Sequence, residues 1–380
     1  MDRFRLSSSK SNSFLKIIAV FALVYLFLVS IGLMGVAFKG FGKNFAQGLI
    51  QTTSNPFIGL FIGILATSLV QSSSTTTSIT VGMVSSGVLT VGNAIPIIMG
   101  ANIGTTVTNL IVSLAHIGRR EEFRRAISGA AVHDFFNVFC VCILLPLQIW
   151  TGFLHKAALW MSDIFREAGG FVFTSPLKAV TKPAVVLIED TLKGMSFLPA
   201  KLIYFIILAL AVIFLFFALS FIVKIMRSLV IDKAELILNN IFGQSALIAI
   251  FAGFLFTSVV QSSSITTSLM VPLVAAGILT VETIFPITLG ANLGTTTTTI
   301  LASFATGNPA AITIAFVHFL FNLIGILIVY PFKALRNIPI FLAYRLGNLA
   351  YKKRRYAIFF VLILFFIIPG ILIFLSKLMK

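Results

Sequence analysis

The segment Thr67-Ser68-Leu69-Val70-Gln71-Ser72-Ser73-Ser74-Thr75-Thr76-Thr77-Ser78 sets a polar run inside hydrophobic sequence, and it occurs twice. Its second copy, Thr257-Ser258-Val259-Val260-Gln261-Ser262-Ser263-Ser264-Ile265-Thr266-Thr267-Ser268, lies 190 positions later. Sliding the chain on itself by 190 aligns 63–115 with 253–305, and 29 of those 53 positions carry the same residue. The matches are mostly polar or small, including Gly100-Ala101-Asn102-Ile103-Gly104-Thr105-Thr106 over Gly290-Ala291-Asn292-Leu293-Gly294-Thr295-Thr296. A shared preference for apolar residues does not produce that pattern; an internal duplication does.

The sequence around the two copies is that of a membrane protein. Of the 380 residues, 58% are hydrophobic and 10% charged, outside the range of soluble domains. Apolar runs of the length that crosses a bilayer core of roughly 30 Å recur along the chain. The net charge of +17 does not indicate nucleic acid, because Lys and Arg fall between apolar runs, where they mark cytoplasmic loops. Cys140 and Cys142 lie in an apolar run without metal-ligand spacing and read as helix-packing residues. The first apolar run lacks a small-residue cleavage site and reads as a retained span.

Residues 1–15 read as a mobile cytoplasmic tail and 16–150 as the first repeat. After a span over 16–37 comes an apolar stretch, 56–89, which Gln71 to Ser74 cut into two halves. Each half is too short to cross alone, so the stretch predicts a re-entrant hairpin with its tip near mid-membrane. A broken helix is expected over 93–114, where Gly100, Gly104 and several threonines interrupt an apolar run. A loop with Arg119, Arg120, Arg124 and Arg125 precedes the next span, which carries His133-Asp134-Phe135-Phe136-Asn137. Residues 151–200, with Gly169-Gly170 and several prolines, read as an external connection bearing a short surface helix.

The second repeat, 201–333, follows the same plan: a span over 201–223, a hairpin over 244–279, a broken helix over 282–305 and a span over 310–332 with His318 and Asn322. Residues 334–380 hold a basic amphipathic stretch, expected on the cytoplasmic membrane surface, and a last apolar span. The loop after the first broken helix has four arginines, whereas its counterpart, 306–309, has no charge. Opposite sides of the membrane account for that difference, and three crossings per repeat turn the second copy over. The predicted fold is an all-α polytopic membrane protein of two inverted-topology repeats, each with a re-entrant helical hairpin and a broken transmembrane helix. Secondary transporters share this architecture and place their sites where the repeats meet. Unsatisfied polar groups in hydrocarbon cost several kcal/mol each, so a duplicated polar tip argues for a working site.

Between Asn44 and Gly118 there is no Lys, Arg, Asp or Glu, and between Leu236 and Phe332 only Glu282. A ligand at the repeat interface is therefore held by neutral oxygens and N–H groups. Backbone N–H groups at the start of the returning half-helices, with serine hydroxyls, suit an anion. Carbonyl, Gln, Asn and Thr oxygens suit a hard cation such as sodium. Lone threonines such as Thr67 and Thr108 have a plainer use, bonding their own helix carbonyls. Asn102 and Asn292 read as half-helix caps or ligands, and His133 and His318 as satisfied core residues. Asp134, deep in its span and replaced by Phe319 in the second copy, reads as a sodium ligand, with a salt bridge to the arginine loop as the alternative.

The doubled Gln-Ser-Ser-Ser, each followed by Gly-Ala-Asn-x-Gly-Thr-Thr, and the stretch from Phe123 to His133-Asp134-Phe135-Phe136-Asn137 resemble the type II sodium/phosphate cotransporters. The resemblance implies sodium-coupled uptake of inorganic phosphate by alternating access, with substrate and sodium sites at Gln71 to Ser74 and Gln261 to Ser264. It also implies that Asp134 goes with electrogenic transport. Candidate phosphate ligands are Ser72, Ser73, Ser74, Ser262, Ser263, Ser264, Asn102, Asn292, Thr105 and Thr295. Candidate sodium ligands are Gln71, Gln261, Thr106, Thr296, Thr76, Thr266, Asp134, Asn137 and Asn322. The expected partners are phosphate, sodium and the lipid bilayer, with sodium as coupling ion, no prosthetic cofactor and no nucleic acid. The expected location is the cell membrane, with the N-terminus cytoplasmic. Segment 151–200 lacks the cysteines and glycosylation sequons of animal members, and no PhoU-like sequence follows the last span, so control through such parts is not implied. A transporter of another oxyanion (arsenate, sulfate, an organic phosphate) and a phosphate sensor are the alternatives. A lipid-phosphate enzyme lacks an acid/base or metal cluster beyond His133-Asp134.

Overall fold

Helix signals are read literally by the chain. Asn55 accepts a hydrogen bond from Phe57 N ahead of Pro56, Thr90 from Asn93 N and Thr280 from Thr283 N, so each of these helices starts on a side-chain cap. The computed structural model describes residues 2–168, 176–195, 198–241 and 245–378, and among these there is no strand.

The first repeat comprises α1 (Asp2–Gly40), α2 (Lys43–Thr52), α3 (Pro56–Val70), α4 (Ser73–Ser85), α5 (Val91–Thr105), α6 (Val107–Ser113) and α7 (Arg120–Thr151). Two helices, α8 (Phe153–Ala168) and α9 (Pro176–Lys193), connect it to the second repeat. That repeat contains α10 (Ala200–Ile241), α11 (Ala246–Val260), α12 (Ser263–Ser268), α13 (Val271–Ala275), α14 (Val281–Thr306) and α15 (Pro309–Val329). The chain continues through α16 (Lys333–Lys352), α17 (Arg355–Leu362), a π-helical segment (Ile363–Ile367) and α18 (Ile368–Leu378).

Six of these segments are long and apolar enough to span a membrane: Phe14–Gly40, Val91–His116, Arg120–Thr151, Lys201–Leu229, Pro309–Val329 and Arg355–Ser376. The pair α2 and α3, bent by 99°, is a broken or re-entrant element. Three spans precede Lys201–Leu229, so the second repeat enters the membrane from the opposite face. The fold is therefore the expected helical one, with inverted repeats and re-entrant tips.

The broken helix is realised in the first copy and corrected in the second. In the first copy the helix is interrupted only at Thr106, between α5 and α6, and in the second α14 runs unbroken for 26 residues. The glycines serve close packing instead. A Cβ on Gly100 would stand 2.0 Å from Leu60 O, and one on Gly63 would stand 2.2 Å from Ile97 O. In the second copy, Gly290 and Gly253 stand in the same relation to Ile250 O (1.9 Å) and Ile287 O (2.2 Å). Backbones thus touch where α3 meets α5 and where α11 meets α14, as small residues allow between membrane helices. The threonines of α14 stay helical by bonding their own turns: Thr288 to Ile284 O, Thr295 to Ala291 O and Thr297 to Gly294 O.

Three further expectations change. The tail over 1–15 is already helical from Asp2. The connection over 151–200 holds two helices of 16 and 18 residues, packed on α15 and α1 respectively; Gly169-Gly170 lie outside the described residues, as does Gln244 at the expected start of the second hairpin. The amphipathic α16 does not lie free on a surface: it packs along α7, with Ile340, Ala343, Leu346 and Ala350 buried. The Tyr344 hydroxyl also donates to Glu282 Oε2 at 3.0 Å.

Candidate ion-binding site

Each hairpin tip is one residue in a left-handed conformation followed by one extended residue. Gln71 has φ 56° and ψ 29°, and Gln261 has φ 61° and ψ 23°. They are the two non-glycine residues with positive φ among the described ones. Such a backbone costs about 1–3 kcal/mol each for a non-glycine residue and persists where the surroundings over-determine it, commonly at ligand sites. Ser72 and Ser262 follow in extended conformation and cap the next half-helix, accepting from Thr75 N at 3.2 Å and Ile265 N at 3.4 Å. The helix start aims its N–H groups and positive dipole end into the gap.

The two tips meet. Ser74 Oγ lies 3.4 Å from Gln261 O and 3.4 Å from Thr298 Oγ1. The Thr298 hydroxyl donates to Gln261 Oε1 at 2.6 Å, and Gln261 Nε2 donates to Thr297 Oγ1 at 3.1 Å. Between the tips is a cavity of about 220 Å³, lined by residues 70–75 and 261–264 and by Phe216, Leu219, Ser220 and Val223 of α10. Among the described residues, no charged side chain borders it. It is smaller than the roughly 300–1,000 Å³ of drug-sized pockets, a volume suited to small ions.

Of the candidate ligands, Gln71, Gln261 and all six serines border this cavity. Asn102, Asn292, Thr105, Thr106, Thr295, Thr296, Thr76 and Thr266 do not, and most are bonded within their own helices. Thr105 donates to Ala101 O at 2.8 Å, Thr106 to Ile103 O at 2.7 Å, Thr296 to Leu293 O at 2.7 Å and Asn102 to Ile98 O at 3.0 Å. Thr76 and Thr266 donate to Ser72 O and Ser262 O, tying each tip carbonyl to the next turn. Besides Thr75, Ser220 is the polar cavity residue outside the candidate ligands. The signal was present as a Phe-x-x-Ser at 27–30 and again at 217–220, in the same 190 register but upstream of the aligned block.

A second polar layer lies behind the tips. His133, Asp134, Asn137, Asn292, His318 and Asn322 are all buried. Asn292 Nδ2 donates to Asn137 Oδ1 at 2.7 Å, and Asn137 Nδ2 donates to Asn102 O at 2.9 Å. Asn292 Oδ1 therefore faces His133 and accepts from its Nε2, which leaves His133 Nδ1 bare and unpartnered. On the other side Thr299 donates to Thr77 and so accepts from His318 Nδ1 at 2.9 Å, leaving His318 Nε2 bare. Both carboxylate oxygens of Asp134 and Asn322 Oδ1 are likewise buried without a partner. Three of the four loop arginines pair within the loop, Arg119 with Glu122 at 2.7 Å and Arg124 and Arg125 with Glu121. Among the described residues, then, the salt-bridge alternative for Asp134 is not realised. Five buried atoms that can only accept are left without donors, and such atoms are costly unless a cation or proton joins them.

Opposed, uncharged re-entrant tips at the junction of two inverted repeats define the architecture of membrane carriers of the secondary-transporter class. More specifically, the chain belongs to the Na+/Pi-cotransporter family, whose model matches residues 26–158 and 213–344, one match per repeat. It is 35% identical to sodium-dependent phosphate transport protein 2B of Homo sapiens, over 93% of this chain and 64% of that protein. The same figures hold for the 2B protein of Pongo abelii. Sodium-dependent phosphate transport protein 2A of Rattus norvegicus is 36% identical over 94% of this chain and 67% of that protein. The chain thus spans just under two thirds of the length of the 2B proteins. No solved structure matches it.

Proposed function

We propose that this protein is a sodium-coupled symporter that carries inorganic phosphate across the cell membrane by alternating access. The observation that carries the reading is the meeting of two Gln-Ser-Ser-Ser tips, one from each repeat and in the same backbone conformation, around one small uncharged cavity. Family membership and the names of the relatives support the identity of both ions. Hydroxyls and helix-start N–H groups hold the oxyanion. Carbonyl oxygens at the left-handed turns, Gln71, Gln261 and the unpartnered Asp134 carboxylate hold sodium. An oxyanion and sodium bound together offset each other's charge in a low-dielectric chamber.

Asp134 is one-sided in the duplication, so it is the group that makes the coupled cycle move net charge. The arginine loop between α6 and α7 faces the cytoplasm, which places the N-terminus there too. Replacing Ser73 or Ser263 by leucine fills the chamber and removes a hydroxyl donor. Sodium-dependent phosphate uptake in reconstituted vesicles then falls to background while the folded, monodisperse yield is kept. Uptake at the unmodified rate would refute the site.

A further inference from the structure

One wall of the chamber comes from α10, through Phe216, Leu219, Ser220 and Val223, and Ser220 is its one polar side chain. The residue 190 positions earlier is Ser30 on α1, and Phe217 is matched in the same way by Phe27. The two helices pack against one another. Their serines, however, are in different states. Ser220 borders the chamber, whereas Ser30 is fully buried and its hydroxyl is spent on Phe27 O at 2.6 Å.

A second cavity, of about 390 Å³, lies against the face of α1 turned away from Ser30, since Gly32, Gly35 and Lys39 stand roughly half a turn around the helix from it. It is lined by Ile31, Gly32, Gly35 and Lys39 of α1, by α9 and by the link from α14 to α15. At its base α9 presses on α1 so closely that a Cβ on Gly32 would meet Val185 Cγ2 at 2.7 Å. The chamber occupies the C-terminal part of the span Lys201–Leu229, and this groove the C-terminal part of Phe14–Gly40. Because the repeats are inverted, those two ends approach opposite faces of the membrane.

We infer that Ser220 and Ser30 serve the transported oxyanion in turn: Ser220 lines the chamber in the conformation described, and Ser30 lines it when the tips are reached from the other face. In an inverted-repeat carrier the two halves exchange conformations as access alternates, so a hydroxyl exposed on one half is buried on the other. Both serines are positioning residues, each adding a neutral donor opposite the hairpin tips. The inference rests on the transport reading above and adds to it which α1 and α10 side chains meet the substrate, and when.

The test uses the full chain with Cys140 and Cys142 replaced by alanine, into which Ser30→Cys or Ser220→Cys is introduced. Right-side-out and inside-out vesicles are treated with a membrane-impermeant methanethiosulfonate, with and without sodium plus phosphate. Ser220→Cys should react from one face only and Ser30→Cys from the other only, and sodium with phosphate should slow both several-fold. Reaction of both from the same face, or no reaction of Ser30→Cys from either while uptake continues, overturns the inference and leaves the transport reading intact. Failure of the cysteine-free parent to accumulate phosphate under a sodium gradient, when the unmodified chain also fails, counts against transport itself. As a second measurement, Ser220→Ala and Ser30→Ala should each raise the KM for phosphate several-fold with the maximal rate nearly kept; an unmodified KM in both overturns the inference.

Discussion

The Thr299 hydroxyl donates to Thr77 at 2.9 Å, and the same contact recurs with both partners displaced by 190 residues, as Thr267 donating to Asn109 at 2.9 Å. A residue of the first hairpin meets α14 of the second repeat, and its counterpart meets α6 of the first. This reciprocity is what a two-fold relation between the repeats produces, and all four residues are buried. It breaks down one step closer to the tips. Ser74 reaches Thr298 at 3.4 Å, but Thr108, the counterpart of Thr298, has a buried hydroxyl without a partner. The two halves thus differ at this pair, as the halves of a two-state carrier do in any one conformation.

Thr299→Val keeps the shape of the side chain and removes the link between hairpin and helix. It leaves the His318 Nδ1–H without an acceptor, a loss of about 1–3 kcal/mol. Thermal or denaturant unfolding in detergent micelles should show a clear destabilisation. An unchanged midpoint would mean that this contact does not hold the hairpin.

Gly100→Ala brings a methyl group against the Leu60 carbonyl, 2.0 Å from the Cβ position. Overpacking of this kind costs about 1–3 kcal/mol or more, and here the obstacle is backbone that cannot rotate away. Gly92→Ala, which meets nothing within 4 Å on the same helix, is the control. The first should reduce folded yield and the second should not; equal behaviour of the two would contradict the backbone contact.

The left-handed tips make a separate prediction. Gln71→Gly should be tolerated in folding because glycine adopts φ of 56° freely. Gln71→Val should lower stability by about 1–3 kcal/mol through backbone strain alone. Comparing the two unfolding midpoints checks this, and a valine variant as stable as the glycine one would argue against the turn.

Asp134→Asn preserves size while removing the charge from two oxygens that have no protein partner. The sodium concentration for half-maximal uptake should rise about tenfold or more, equivalent to about 1.4 kcal/mol of binding. Sodium-dependent current should fall further than uptake. Current and uptake declining in parallel, with sodium dependence unaltered, would remove Asp134 from the cation site.

Much of this architecture was legible because polar residues in hydrocarbon have few uses. The tips announced themselves as Gln-Ser-Ser-Ser between apolar halves, and the left-handed Gln71 and Gln261 sit where the halves meet. The continuity of α14 was not legible, because Gly290 and Gly294 look alike in sequence whether they break a helix or admit a neighbour. Only the 1.9 Å approach of Ile250 O to the Gly290 Cβ position decides for the neighbour. Asn102, Thr105 and Thr295 look like ligands by residue type, yet their side-chain hydrogen bonds go to their own helices. Leu154 and Ala158, one turn apart and both buried, carried the amphipathic spacing of α8, which the glycines and prolines of 151–200 masked. Ser30 and Ser220 stand outside the strongly matching block, and their shared Phe-x-x-Ser in the 190 register is too short a signal to single them out until a cavity is seen beside Ser220.

The most direct test is uptake of labelled phosphate by the purified chain in vesicles under an imposed inward gradient of sodium, potassium, lithium or protons, each applied alone. The account predicts accumulation of phosphate above equilibrium with sodium and none with potassium, abolished when Ser73 or Ser263 is replaced by leucine. Phosphate entry that is the same with every cation, or that never exceeds equilibrium, would contradict it.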